Sequence, residues 1–373
     1  STRKESSAAS DVYKRQYLYT IPGKQPMAAV WNYTPNRKFR ITFSDPQSVE
    51  LFDVFGNPLK AVPGMPLTND PVYVHSKKGL NALRSMLNAS RIVPENGYEI
   101  TCARWFAKQG KPALALEFRS TLEAQELKVR LLSAPSVKAS EPGSVSLRIP
   151  AGKTAVLLIP VETKSSALPG GTVKLMIYDG KTTRTVSVPV EAQRFLRSGE
   201  TAQITQVTTG KALKNDPFSA TFQASGDKKM FRLAIQVNDA KRGRYSPPEF
   251  WNSDCIELYF DRSPLTEMER KRYRKDTFRL YLTAGAEGKP PRLDKNGDVT
   301  LSSIRWKLTN TGTGYNAEVE IPWSELRLTP GSPVSFDVAV DDNDGKARRL
   351  QKTWSGTTFN YMLRHNFGFW IPE

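Results

Sequence analysis

Apolar and polar residues alternate with period two over most of this chain. Phe39, Ile41 and Phe43 share one side of an extended segment, as do Leu114, Leu116 and Phe118, and Leu127, Val129 and Leu131. The spacing recurs at Val145, Leu147 and Ile149, at Val173, Leu175 and Ile177, at Ile256, Leu258 and Phe260, and at Phe278, Leu280 and Leu282. It returns at Ala317, Val319 and Ile321, and at Val334, Phe336, Val338 and Val340. Successive side chains of a strand point to opposite faces, so each set marks a strand with one face on a core. Turn clusters such as Gly56-Asn57-Pro58, Pro169-Gly170-Gly171 and Lys295-Asn296-Gly297 separate the strands. Residues 79–88 read as a short helix between the first two strand-rich stretches. The pattern predicts an all-β fold of antiparallel sandwiches, with no support for βαβ units.

Three β-sandwich units in series are expected. The first spans 17–90, the second 91–196 and the third 202–373, with the polar stretch 197–201 as linker. The second has the strand lengths and the apolar run 155–161 of an immunoglobulin-like sandwich. Glu50 and Asp53 in the first unit are not an acid and base pair, because residues three apart on a strand face opposite ways.

Composition narrows the chemistry. The 373 residues suffice for two or three cores. Lysine and arginine number 54 against 37 acids, a net +17. These cations are scattered rather than gathered in a stripe, so no nucleic-acid partner is expected. The one dense run, 270–275, follows Glu267 and Glu269 at helical spacing and reads as a solvated surface helix. Cys102 and Cys255 lie in different units, and the histidines are only His75 and His365, which leaves no cysteine or three-histidine metal site. No apolar stretch approaches the ~20 residues that span a bilayer.

The third unit carries the sharpest motifs. Trp251-Asn252-Ser253-Asp254-Cys255-Ile256-Glu257-Leu258-Tyr259-Phe260-Asp261 sets a tryptophan before a strand. Gly314-Tyr315-Asn316-Ala317-Glu318-Val319-Glu320-Ile321-Pro322-Trp323, Asp341-Asp342-Asn343-Asp344-Gly345 and Trp354-Ser355-Gly356 follow. This set resembles the family-9 carbohydrate-binding modules over about 170 residues. The resemblance implies two tryptophans sandwiching a sugar ring, with polar groups on its hydroxyls. Flat aromatics suit the C–H face of a pyranose, and a few polar groups suit its rim. Trp251 and Trp354 are the expected stacking rings, with Glu257 accepting from sugar hydroxyls and Arg279 and Gln351 as further polar contacts. Trp323 is expected in the core. Some members of that family hold structural calcium, and Asp341, Asp342 and Asp344 are the hard-oxygen candidates here.

In the first unit, Val49 to Pro58 followed by Pro71-Val72-Tyr73-Val74 resembles the small β-sandwich that closes some secreted glycoside hydrolases. Asp11 to Gln16, DVYKRQ, resembles the translated transposon end left when DNA is fragmented for sequencing. Residues 1–16 are therefore expected to be an artefactual or disordered tail, and the natural chain to continue upstream of Tyr17. Together these readings imply a secreted protein, extracellular or periplasmic. Its C-terminal module would bind polysaccharide and target a missing upstream glycoside hydrolase, and no catalytic site is expected in the part present. The alternative is a structural or adhesion-type surface protein whose sandwiches bind protein.

Overall fold

The computed structural model describes residues 15–19, 25–32 and 39–372, apart from 109, 121–122, 141–142, 164, 213, 215, 240, 242, 244–248, 286–289 and 346. Residues 1–14, most of the expected tail, lie outside the described residues. The fold is all-β, as the alternation predicts. Among the described residues no helix is long and apolar enough to cross a membrane.

The first unit pairs a five-stranded sheet with a three-stranded one. The helix Leu80–Ala89 presses Leu83, Met86 and Leu87 into their shared core with Ile41 and Val74. The strand Arg91–Pro94 pairs with Phe39–Thr42, so it belongs to this unit's sheets rather than heading the next. The second unit encloses its core between two four-stranded antiparallel sheets. One ends at the edge strand Tyr98–Lys108, which pairs with Lys111–Ser120. The other ends at the edge strand Thr183–Val190.

In the third unit a five-stranded antiparallel sheet faces a nine-stranded sheet across the largest core. The nine-stranded sheet runs from Ala167–Leu168 through Gln193–Arg197, Gly368–Ile371, Val334–Asn343, Cys255–Asp261 and Thr277–Thr283 to Arg292–Asn296, with Arg348–Thr353 also on Val334–Asn343 and Gln206–Gly210 beyond it. Gln193–Arg197 pairs in parallel with Gly368–Ile371, so the second and third units are joined through one sheet. Ile256, Leu258, Phe260, Phe278, Leu280, Phe336 and Val338 point into the core, the face their period assigns them. Trp323 is buried there as expected, donating its indole N–H to the Asp227 carbonyl at 2.8 Å.

The opposite face of the same sheet differs from a simple alternation of core and solvent. Cys255–Asp261, Thr277–Thr283 and Val334–Asn343 are buried at every position, so their polar sides are covered too. The covers are loops 262–276 and 354–367. Residues 270–275 do not form the expected surface helix, because their backbone is spoken for elsewhere. Arg272 bridges Leu363, Tyr273 N–H bonds the Met362 carbonyl at 2.9 Å, and the Arg270 carbonyl accepts from Arg364 Nε at 3.1 Å.

Candidate functional site

Strand pairing assembles the polar floor. Glu257 stands opposite Tyr281 on one neighbour and Ala339 on the other, while Asp341 stands opposite Gln351. The small Ala339 leaves room beside Glu257, and the floor closes into one network there. Glu257 Oε2 accepts from Tyr259 Oη at 2.8 Å and from Arg279 Nη1 at 3.4 Å. Glu257 Oε1 and Asp341 Oδ1 each accept from Gln351 Nε2 at 3.0 Å. Arg348 reaches Asp341 Oδ1 at 3.2 Å. Three of the five residues expected around a sugar, Glu257, Arg279 and Gln351, thus come together, though widely separated in sequence. Burial, and then the carboxylate of Glu257, push the Asp341 carboxyl well above the usual carboxylate range. Asp341 Oδ2 and Arg279 Nε have no hydrogen-bond partner among the described residues.

Aromatic groups lead from this floor to the surface. The Arg279 guanidinium lies 4.5 Å from the Tyr281 ring centroid, and Tyr281 is 5.7 Å from Phe250. The short 3-10 turn Phe250–Asn252 then turns Trp251 outward, 38% exposed. Asn252 fixes that turn by accepting from Asn343 Nδ2 through its carbonyl. Trp251 is an available flat surface beside the polar network.

Trp354 is not. It is only 3% exposed and packs in the core at 5.3 Å from Phe222 and 5.1 Å from Phe336. Its ring also covers Gly368, where even a Cβ would approach Trp354 Cζ3 to 2.3 Å. The expectation of a second stacking ring at Trp354 is therefore corrected, because the residue closes the core from the inner side of the sheet. Glu257 shows 1% of its surface and already has three donors, so it orients Arg279 and Gln351 rather than meeting solvent.

Sequence reasoning missed the exposed aromatics of the 354–367 loop. Phe359 and Tyr361 are each about half exposed, with ring centroids 6.5 Å apart. Two hydrogen bonds tie their loop to the floor: Thr358 Oγ1 donates to the Thr208 carbonyl at 2.5 Å, and Thr208 Oγ1 to Gln351 Oε1 at 2.9 Å. Asp337 holds the loop's base by accepting from Ser355 N–H and Gly356 N–H, both at 2.8 Å. Two aromatics spaced two apart in a polar loop were the available signal.

The expected calcium ligands do not converge. Asp341 and Asp342 are consecutive on a strand and point to opposite faces, while Asp344 is exposed in the turn. Asp342 instead meets Asp239 and Asp254, their carboxylate oxygens all within 4.8 Å of one another and all buried. Asp254 accepts from Asn343 N–H at 2.8 Å and Gly243 N–H at 2.6 Å. Arg349 pairs with Asp342. Burial first, then the charge of Asp239, pushes the Asp254 carboxyl up to about 7. Three buried hard-oxygen donors this close together suit a divalent cation such as calcium.

A two-sheet sandwich with a polar floor and flanking aromatics is the class of domain these observations define. Residues 192–368 match the family model described as carbohydrate family 9 binding domain-like, and this stretch is a domain of that kind. The match takes in the Gln193–Arg197 strand, which the expected boundary at 202 left outside. No curated protein matches the chain. Among solved structures, a family 9 carbohydrate-binding module from Caldicellulosiruptor kristjanssonii with cellotriose is 14% identical, at a TM-score of 0.38, over 48% of this chain and 92% of that one. With glucose, a family 9 module from the same organism gives 16%, 0.37, 48% and 94%. A protein of unknown function from Porphyromonas gingivalis W83 gives 10%, 0.19, 69% and 97%. Likenesses this distant carry no weight for function.

Proposed function

We propose that the third unit binds carbohydrate at the outer end of its polar floor. Arg279, Gln351 and Arg348 meet the sugar's hydroxyls, and Trp251 stacks on its apolar face. The observation that carries this reading is the Glu257–Arg279–Gln351 network beside exposed Trp251, and the family match supports it. Phe359 or Tyr361 supplies the second aromatic wall in place of Trp354. Neutral sugars suit a floor in which two carboxyls are offset by two arginines. In a longer secreted protein the module acts by tethering, raising the effective concentration of an upstream glycoside hydrolase at its polysaccharide.

Calorimetric titration of the full chain with cellotriose, glucose and a panel of plant and microbial oligosaccharides tests this. Binding that Trp251→Ala and Gln351→Ala each weaken at least tenfold, with folding intact, is expected. A folded chain silent across the panel refutes the reading and favours the adhesion-type alternative.

A second reading rests on its own observation. Asp239, Asp254 and Asp342 hold a structural divalent cation, calcium being the hard ion that three close carboxylates suit. It would pin Gly243 and Asn343 together, because Asp254 bonds both.

A further inference from the structure

We infer that Glu117 and Arg104 of the second unit are positioning residues for the site on the third. They hold the two loops that cover the floor and carry its outer aromatics. The inference rests on the sugar-binding reading above for its functional consequence, but its structural half stands apart.

Glu117 is buried on the Lys111–Ser120 strand. One carboxylate oxygen accepts from Thr101 Oγ1 at 2.5 Å, and the other crosses to the third unit, accepting from the backbone N–H of Met268 at 2.9 Å. Arg104, equally buried on the neighbouring strand, reaches both loops with one guanidinium. Its Nη1 donates to the Pro264 carbonyl and its Nη2 to the His365 carbonyl, each at 3.3 Å. Gln193 Nε2 adds a bond to the Phe367 carbonyl, and Lys271 pairs with Glu191 at 2.7 Å.

Open space lies beside these contacts. A cavity of about 440 Å³ lies between the units here, lined among others by Cys102, Arg104, Gln193, Met268, Lys271 and His365. Phe369 packs on Phe106 farther along the seam, so beside the cavity the hydrogen bonds are what tie the loops to the second unit. Bonds to charged groups are the strong kind.

What the clamp holds is continuous with the site. The two loops are zipped together by Tyr273 N–H to the Met362 carbonyl and Arg364 N–H to the Lys271 carbonyl, both at 2.9 Å. Tyr273 Oη also bonds the Asn360 carbonyl, between Phe359 and Tyr361. From there Thr358 and Thr208 lead to Gln351. Loosening the loops at Met268 and His365 therefore frees the aromatic wall and removes a partner chain that fixes Gln351.

The test compares the full chain with Glu117→Ala, the Arg104→Ala/Glu117→Ala double variant and Glu117→Gln. Hydrogen exchange is read over 262–276 and 354–367, and affinity for cellotriose and the same oligosaccharide panel by calorimetry. Exchange in both loops is expected to rise on the order of tenfold or more in the double variant, with Cys255–Asp261 still protected. Affinity for whichever sugar the wild type binds falls alongside. Glu117→Gln, which keeps an oxygen for the Met268 N–H, stays near the wild type in both readouts. Wild-type exchange in the double variant's loops overturns the clamp whatever the sugar result. Loosened loops with unchanged affinity overturn the positioning role alone. A wild type that binds no sugar sinks the proposed function, and with it the positioning role, while the exchange data still decide the clamp.

Discussion

Replacing Arg364 by alanine should cost about 3–5 kcal/mol, the range for breaking a buried ion pair from one side. Arg364 and Asp261 are each 1% exposed in their side chains and meet at 2.7 Å. The guanidinium also donates to the carbonyls of Ser263 at 3.2 Å, of Thr266 and Glu267 at 2.8 Å, and of Arg270 at 3.1 Å. Removing it strands a carboxylate inside the fold and frees four carbonyls. The carbonyls recover water if loop 262–276 lifts away, so their cost does not simply add. The carboxylate at the end of the Cys255–Asp261 strand has no such escape. Urea unfolding of the full chain, following the transition of the third unit, measures the loss. Asp261→Asn and the Asp261→Asn/Arg364→Ala double variant complete a cycle, with a coupling of roughly 1.5–3 kcal/mol expected for a charge-assisted pair. A loss under about 1 kcal/mol with additive variants would refute the assignment of Arg364 as the anchor of the covering loop.

Trp354→Ala should unfold or destabilise the third unit by about 3–5 kcal/mol, as truncating a core tryptophan does; retained stability with lost sugar affinity would return Trp354 to the binding surface. Calcium at millimolar concentration should raise the unit's melting temperature, and Asp254→Asn should abolish that shift; an identical response in the variant removes the proposed cation. His365 is held down to about 4, chiefly by burial, with Glu191 at 3.3 Å opposing. Its folded value lies below the unfolded one, so its contribution is present above about 6.5 and lost as pH falls toward 4. Between pH 7 and pH 5 the wild type should lose stability that His365→Gln retains; equal losses in wild type and variant by chemical denaturation discard the assignment.

The fold was legible because a period of two survives nearly everywhere and leaves few alternatives to strands. Glu257, Arg279 and Gln351 were named from the family resemblance, and the strand geometry explains why they meet. Each occupies an outward position on its strand, and neighbouring registers bring those positions together. What escaped was whatever depends on contacts far apart in sequence. Trp354 follows a strand directly, and nothing local says that Phe222 and Gly368 enclose it. The charged run at 270–275 has helical spacing, yet Arg364 claims the Arg270 carbonyl from the far end of the unit. Asp239, Asp254 and Asp342 come from three separate segments, whereas the eye is drawn to the consecutive acids at 341–342, which strand geometry points apart.

The parallel pairing of Gln193–Arg197 with Gly368–Ile371 has a consequence for synthesis on the ribosome. The second unit can form its two sheets while Gln193–Arg197 still presents an open edge, but its core lacks Phe369 and Ile371 until the matching segment emerges. The third unit cannot close until that late segment slots between Gln193–Arg197 and Val334–Asn343, carrying Trp370 into the core as it does so. Completion of this domain is thus timed to the emergence of residues 368–371, and the nascent edge must be kept from other strands until then.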